Sequence, residues 1–206
     1  MIRSALDRLL SLAGPALGLA QPDVSGLPRD LGDLLSKRNG FFAFESALHV
    51  LPSGPTSDGT MSVELWNDPD LWRSSYDGMA DAAFFFAEDI FGGQFARSRE
   101  GVVSFDPETG DVERMAADLE GWAERMLADY ELLTGFPVAH LWQEQHGQLR
   151  AGIRLIPKRP FVLGGEVVPE NLYALDAAKG MRLRGELATQ IRDLPDGASV
   201  TVKVVE

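Results

Sequence analysis

The sequence predicts an α+β fold: an antiparallel β-sheet meander flanked by helices, with a β-rich extension at the C-terminal end. Two observations carry this. Between Phe84 and Met115, short apolar segments alternate with compact turn sequences, the pattern of strands that pair with their neighbours in the chain. Directly afterwards, Asp118 precedes a stretch in which Leu119, Trp122, Met126, Tyr130 and Leu133 recur at helical spacing, an apolar face able to cover one side of a sheet.

Taken in order, Ile2, Leu6, Leu9, Leu10 and Ala13 fall at helical spacing and predict a short docking helix. Arg3 and Arg8 ahead of the apolar run Leu9 to Ala20 also outline a weak targeting signal, although Asp7, Gly14 and Pro15 interrupt it. Leu27-Pro28-Arg29-Asp30 opens a second helix, with Leu31, Leu34 and Leu35 on one face and Lys37 and Arg38 suiting its C-terminal dipole; Asn39-Gly40 ends it. A strand pair follows through Leu51, and Pro52 to Thr60 reads as an exposed loop. Asp68-Pro69 resembles an N-cap and first helical residue, with Leu71, Trp72 and Tyr76 as the apolar side.

The meander comprises Phe84 to Ala87, Gln94 to Arg97, Gly101 to Phe105 and Val112 to Met115, with turns at Gly92-Gly93 and at Asp106-Pro107-Glu108-Thr109-Gly110. One helix from Leu119 to Leu133 should end at Gly135, and another should run from Val138 to His146. In the last third, Ile153 to Ile156 reads as a strand. Phe161-Val162-Leu163 and Glu166-Val167-Val168 around Gly164-Gly165 read as a hairpin. Leu183 to Arg192 reads as a helix weakened by Gly185, and Val200 to Val205, after Asp196-Gly197, as a final strand. No Gly/Ser-rich linker divides the chain. The expected organisation is an α+β domain over 1–147 with an extension over 148–206 packed on it as one compact unit.

Composition bounds the function. The chain has 206 residues, no cysteine and a formal net charge of -12. Disulfides, thiolate metal sites and Cys nucleophiles are therefore excluded. Phosphate binding needs clustered Lys and Arg, so nucleic acid is not an expected partner, and no apolar run approaches the roughly 18 to 20 residues that span a bilayer. The charge is regional: residues 64–144 hold 18 acidic and 5 basic residues, whereas both flanks are close to neutral. Such a surface either keeps a protein soluble or attracts a basic partner. On the second reading, Trp66 and Trp72, flanking the acidic loop Asn67-Asp68-Pro69-Asp70, join Asp68, Asp70, Glu88, Asp89, Asp106, Glu108 and Asp111 as the partner-binding set; on the first, the tryptophans are core.

Catalytic signals are sparse. His140, Glu144 and His146 are the one arrangement suggesting a metal, but six residues of helix rotate His146 away from His140. Glu45 and His49 could share a strand face, without a third ligand or base. Neither diglycine opens a phosphate-binding helix, and no nucleophile elbow or calcium loop is present, so the expectation is no cofactor, no metal and no enzymatic activity.

Four stretches, in this order and spacing, resemble the SUKH superfamily: Leu27-Pro28 leading to Asn39-Gly40-Phe41, Phe86-Ala87-Glu88-Asp89 followed by Gly92-Gly93-Gln94-Phe95, Phe105 to Gly110, and the Trp122 helix. That superfamily comprises bacterial toxin-immunity proteins related to a fungal regulator of cell-wall synthesis. The likeness covers roughly half the chain, from Leu27 to Thr134, and does not reach Leu155 to Glu206. It implies a cytoplasmic, non-enzymatic module that binds and neutralises a cognate toxin domain, often a nuclease; an acidic chain suits a basic one. A regulatory scaffold for an endogenous protein is the alternative that the fungal branch implies, and an uncharacterised enzyme is the third.

Overall fold

The computed structural model describes residues 3–56 and 59–195. The fold is α+β. Strands β1 (Phe41–Ala43), β2 (Leu48–Val50), β3 (Phe84–Asp89), β4 (Gln94–Ser98), β5 (Gly101–Phe105) and β6 (Val112–Ala116) form one antiparallel sheet in sequence order. Each strand pairs with its chain neighbours, which is what short connections permit.

A bulge in β3 decides which side chains share a face. Phe85 pairs with Ala96 and Ala87 with Phe95, so Phe86 is the extra residue and the alternation resets. Phe85 and Glu88, three apart, consequently lie on the same side. One continuous row then crosses the sheet on that side: Phe42, His49, Glu88, Gln94, Phe105 and Val112 are successive register partners.

The opposite face is covered by α4 (Leu119–Ala128), whose Trp122 meets Phe86 and Phe95 edge-on at 5.1 and 5.9 Å. Asp118 caps α4 by accepting from the Gly121 N–H at 2.9 Å. Helix α1 (Ala5–Leu12) docks on α4, burying Ala5 and Leu9, and the Glu120 carboxylate accepts from its first-turn N–H groups. Arg38, just beyond α2 (Arg29–Lys37), donates to the carbonyls of Leu10, Ala13 and Gly14 at 2.8–2.9 Å, satisfying acceptors that the end of α1 leaves open.

The expected single helix from Leu119 to Leu133 is two. Asp129, at φ -143°, leaves the helical region, and α5 (Tyr130–Thr134) restarts at an angle that stacks Tyr130 on Phe44 at 4.6 Å. Helix α6 (Phe136–His146) follows. Likewise the described residues of the expected loop, 52–56 and 59–60, are less exposed than their composition suggests. Ser53 and Thr60 are buried, Ser53 exchanges hydrogen bonds with Asn39 at 2.7 and 3.0 Å, and the one-turn helix α3 (Val63–Trp66) follows.

Two corrections concern the last third. There is no hairpin around Gly164-Gly165: β7 (Ile153–Pro157) pairs antiparallel with β8 (Leu172–Asp176), Ile153 opposite Asp176. Between them, Phe161–Leu163 is a single 3-10 turn after Pro160, ended by Gly164 at φ 79°. Asn171 closes this loop on Arg159, donating to its carbonyl at 3.0 Å and accepting from its N–H at 2.9 Å. Prolines at 160 and 169 lack the N–H that a ladder needs, so the diglycine turns a closed loop instead of a hairpin. The helix expected from Leu183 to Arg192 is present but starts earlier: α7 (Ala177–Ile191) is the longest described helix, and Gly185 does not break it. The strand expected over Val200 to Val205 and the Asp196-Gly197 turn lie outside the described residues.

Two apolar clusters hold the chain together. The larger lies on both faces of the sheet and takes in Ala177, Met181 and Ala188 of α7; the smaller joins Ile90, Trp142, Leu155 and Leu172. Helix α7 approaches closely because of its glycines. A Cβ on Gly185 would lie 2.9 Å from the Ser75 carbonyl oxygen and from a Tyr76 ring carbon, neither of which can swing aside. Gly185→Ala should therefore lower stability by about 1–3 kcal/mol despite its better helix propensity. Urea unfolding checks this, and a stabilised variant would show that α7 sits further out.

Candidate protein-binding groove

The site is built on the buried row. On β2 and β3, the His49 Nδ1 lies 2.9 Å from Glu88 Oε1, and Arg154 of β7 reaches the same oxygen at 2.9 Å; all three are about 1% exposed. Phe42 stacks on His49 at 4.5 Å, with the Arg154 guanidinium 5.7 Å from the same phenyl ring. Burial pushes the His49 imidazole down, so it is neutral and donates to Glu88. Burial also pushes the Glu88 carboxyl up, but the Arg154 guanidinium and the hydrogen bonds from His49 and Gln94 outweigh it, so the carboxylate stays below its ordinary range. Gln94 continues the row: its Nε2 lies 3.4 Å from Glu88 Oε2 and its Oε1 accepts from the Trp66 indole at 2.8 Å.

Beyond Gln94 a groove of roughly 690 Å³ opens at the end of the sheet where the β3–β4 and β5–β6 connections meet. Its walls come from these connections, from the α4–α5 segment and from the 161–163 turn. Asp89, Asp106, Glu108, Asp111 and Glu113 line it, against two cations, Arg125 and Arg184.

Local structure positions each carboxyl group. Asp89 Oδ1 accepts from the Phe91 and Gly93 N–H groups at 2.8 Å each, wrapped by the diglycine turn. Burial pushes this carboxyl up to about 7, against the pull of those N–H groups and of Arg184. Asp106 shapes the β5–β6 turn by accepting from Glu108 N at 2.7 Å, and the Tyr76 hydroxyl holds the turn from below through the Pro107 carbonyl at 2.8 Å. Glu108 is 3% exposed; its Oε2 accepts from Val162 N at 2.8 Å, while its buried Oε1 has no hydrogen-bond partner among the described residues. Burial raises this carboxyl too, opposed by the Val162 N–H and by Arg184.

Both cations are turned to backbone. Arg125 donates to the Met115 carbonyl at 2.9 Å, and Arg184 to the carbonyls of Gly180 and Phe91. At the rim, Leu132 is 76% and Val162 42% exposed, so apolar surface adjoins the acidic lining.

The structure thus brings together four of the residues expected to bind a partner: Asp89, Asp106, Glu108 and Asp111. Three others are corrected. Trp66 and Trp72 are 1% and 0% exposed, packed 5.6 Å apart with Phe85, Tyr76 and Phe105 nearby, and Trp72 donates to the Trp66 carbonyl at 2.9 Å. Aromatic packing on the sheet outweighs the polarity of their sequence neighbours, and neither can meet a partner. Glu88 is inaccessible for the reason already given. Asp68 and Asp70 are exposed but outside the groove, Asp68 accepting from the Asp70 N–H at 2.9 Å. Glu113, Arg125, Arg184, Leu132 and Val162 were not in the expected set. Leu132 carried a signal, being an apolar residue off the stripe of Leu119, Trp122, Met126, Tyr130 and Leu133.

The remaining histidines lie elsewhere. His140 Nδ1 is 2.7 Å from Glu45 Oε2, with Glu144 at 3.6 Å, and the Glu45 hydrogen bond raises the imidazole. His146 stacks on Trp142 at 4.3 Å. Glu45 and His49 therefore have separate partners. Among the described residues no three His, Asp or Glu side chains are arranged to hold a metal ion.

Groove and fold together define an α+β protein with an acidic, apolar-rimmed cleft at one end of a six-stranded meander. No family model and no curated protein matches the sequence. Among solved structures, the fold is similar to the crystal structure of Atu4351 from Agrobacterium tumefaciens, with a TM-score of 0.53 and 15% identity over 90% of this chain and 89% of that one. At that identity the likeness shows the fold alone.

Proposed function

We propose that this chain is a cytoplasmic immunity-type protein that binds and neutralises a cognate basic toxin domain, using the end-of-sheet groove as its docking surface. The observation that supports this is the convergence of Asp106, Glu108, Asp111 and Glu113 beside exposed Leu132, with the nearby guanidinium groups engaged by backbone. The resemblance to SUKH proteins supports the same reading. Catalysis by a histidine has less support, because His49 is buried and neither it nor His140 lines the groove.

A basic domain would be drawn in by the acidic region at long range, and apolar contacts at the rim would then slow its release. Neutralisation follows from occlusion. Co-expression of the chain with the toxin domain encoded beside it should restore growth, and the purified pair should associate. Asp111→Lys with Glu113→Lys, both exposed, should slow association by about tenfold or more at low salt. That deficit should shrink as salt shortens the Debye length to about 8 Å and below. A wild-type chain that neither binds the neighbouring domain nor restores growth would end this reading.

A further inference from the structure

We infer that the groove is a receptor for one arginine side chain presented by the partner, with Glu108 as the acceptor that receives its guanidinium. This rests on the reading of the chain as a binder of a basic protein and names the group that the site recognises.

The argument starts from the unpaired oxygen. A buried carboxylate oxygen without a donor is costly, and native structures seldom leave one. Among the described residues Glu108 accepts on Oε2 from the Val162 N–H, with the Phe161 N–H also near the carboxyl group, and its buried Oε1, beside the groove that Glu108 lines, has no donor. Asp106, Asp111 and Glu113 line the same space, so an incoming cation meets several acceptors, and the five carboxyl groups outnumber the two guanidinium groups. Arg184 does not fill the role, because it is directed at the Gly180 and Phe91 carbonyls and packs against Gly92, where even a Cβ would come within 2.5 Å of it.

Arginine fits better than lysine on two counts. Its planar guanidinium presents parallel donors that match a carboxylate and loses less hydration on entering a confined site. Its three-carbon stem can lie along the apolar rim at Leu132 and Val162 while the head reaches inward. The volume admits a short length of flanking chain as well, which suits an arginine on a loop or a helix end.

The test is an NMR titration of the isotope-labelled full chain with N-acetyl-arginine-N-methylamide and, separately, its neutral isostere N-acetyl-citrulline-N-methylamide. Saturable shifts are expected at the amides of Gly93, Glu108, Leu132 and Val162 with the arginine probe, and at least tenfold weaker binding with citrulline. Glu108→Gln, which keeps an oxygen for Val162, should weaken the arginine probe at least fivefold. Asp111→Asn, an exposed change with no packing role, should weaken it about twofold. Equal binding of the two probes, shifts scattered without saturation, or preferential binding of N-acetyl-glutamate-N-methylamide would overturn the inference. The two proposals fail separately. If the chain binds the arginine probe in the groove but no toxin domain, the functional reading falls and the receptor stands. If it binds the toxin domain undiminished by Glu108→Gln or by saturating arginine probe, the receptor falls and the function stands.

Discussion

Glu88→Ala is expected to destabilise the protein by about 3–5 kcal/mol, among the largest effects of any single change in the molecule. The carboxylate is the only counter-charge within 4 Å of Arg154 among the described residues, and Arg154 is 1% exposed. Removing it leaves a guanidinium in the interior and a neutral His49 whose Nδ1–H has lost its acceptor. Gln94 would lose a contact as well. Replacing the group together, Glu88→Leu with Arg154→Met and His49→Phe, should recover most of the loss, because apolar side chains of similar volume need no partners. The pH dependence has a definite sign. His49 is depressed in the folded state, so its share of stability is present above the unfolded value of about 6.5 and is lost as pH falls below it. Glu88 is also depressed, and its share is lost at lower pH, below about 4.3. The raised Asp89 carboxyl, common to both chains, pulls the opposite way, so the difference is the readout: between pH 8 and pH 4 the urea midpoint of wild type should fall relative to that of the triple variant. An Arg154 that tolerates Glu88→Ala without loss of midpoint would mean that water reaches it.

The meander was readable because its signals are local: apolar segments at strand length, a diglycine, an Asp-Pro-Glu-Thr-Gly turn, and a capping Asp118 all act within a few residues. What was unreadable depends on long-range packing. Strict alternation along Phe84 to Asp89 puts Phe85 and Glu88 on opposite faces, and only the bulge at Phe86 brings them together. Glu88, read as a surface charge, is neutralised by a residue 66 positions later, Arg154, whose burial nothing near it announces. Glu108 is oriented by Val162, 54 residues on, and Arg184 reaches Phe91 across 93. The groove residues Asp89, Asp106 and Asp111 were legible for a humbler reason: acidic residues in turns of a meander gather at its ends. Trp66 and Trp72 failed by the same logic in reverse, since their neighbours in sequence are acidic while their neighbours in space are Phe85, Phe105 and Tyr76.

Asp89→Asn should stabilise the protein at pH 8 and make little difference at pH 4. The Asp89 carboxyl is raised to about 7 in the folded state, chiefly by burial, whereas in an unfolded chain it titrates near 3.9. Between those values the folded state holds a proton that the unfolded state has released, so stability falls as pH rises through that window. The shift corresponds to at most roughly 4 kcal/mol, and to about 2 kcal/mol once the solvent-facing side of the carboxyl is allowed for. Asparagine keeps an oxygen for the Phe91 and Gly93 N–H groups and never has to ionise. Glu88 faces Asp89 as a like charge and Arg184 as a cation, so the substitution also relieves one repulsion while giving up one attraction to Arg184. Thermal melts of wild type and variant at pH 4, 6 and 8 should diverge progressively toward alkaline pH, and a variant that is less stable at pH 8 would show that Asp89 is ionised in the groove and needed there by Arg184. The acidic lining therefore carries a stability cost at neutral pH that a bound cation would relieve, which ties the strained carboxyl at the diglycine turn to the partner the groove is proposed to take.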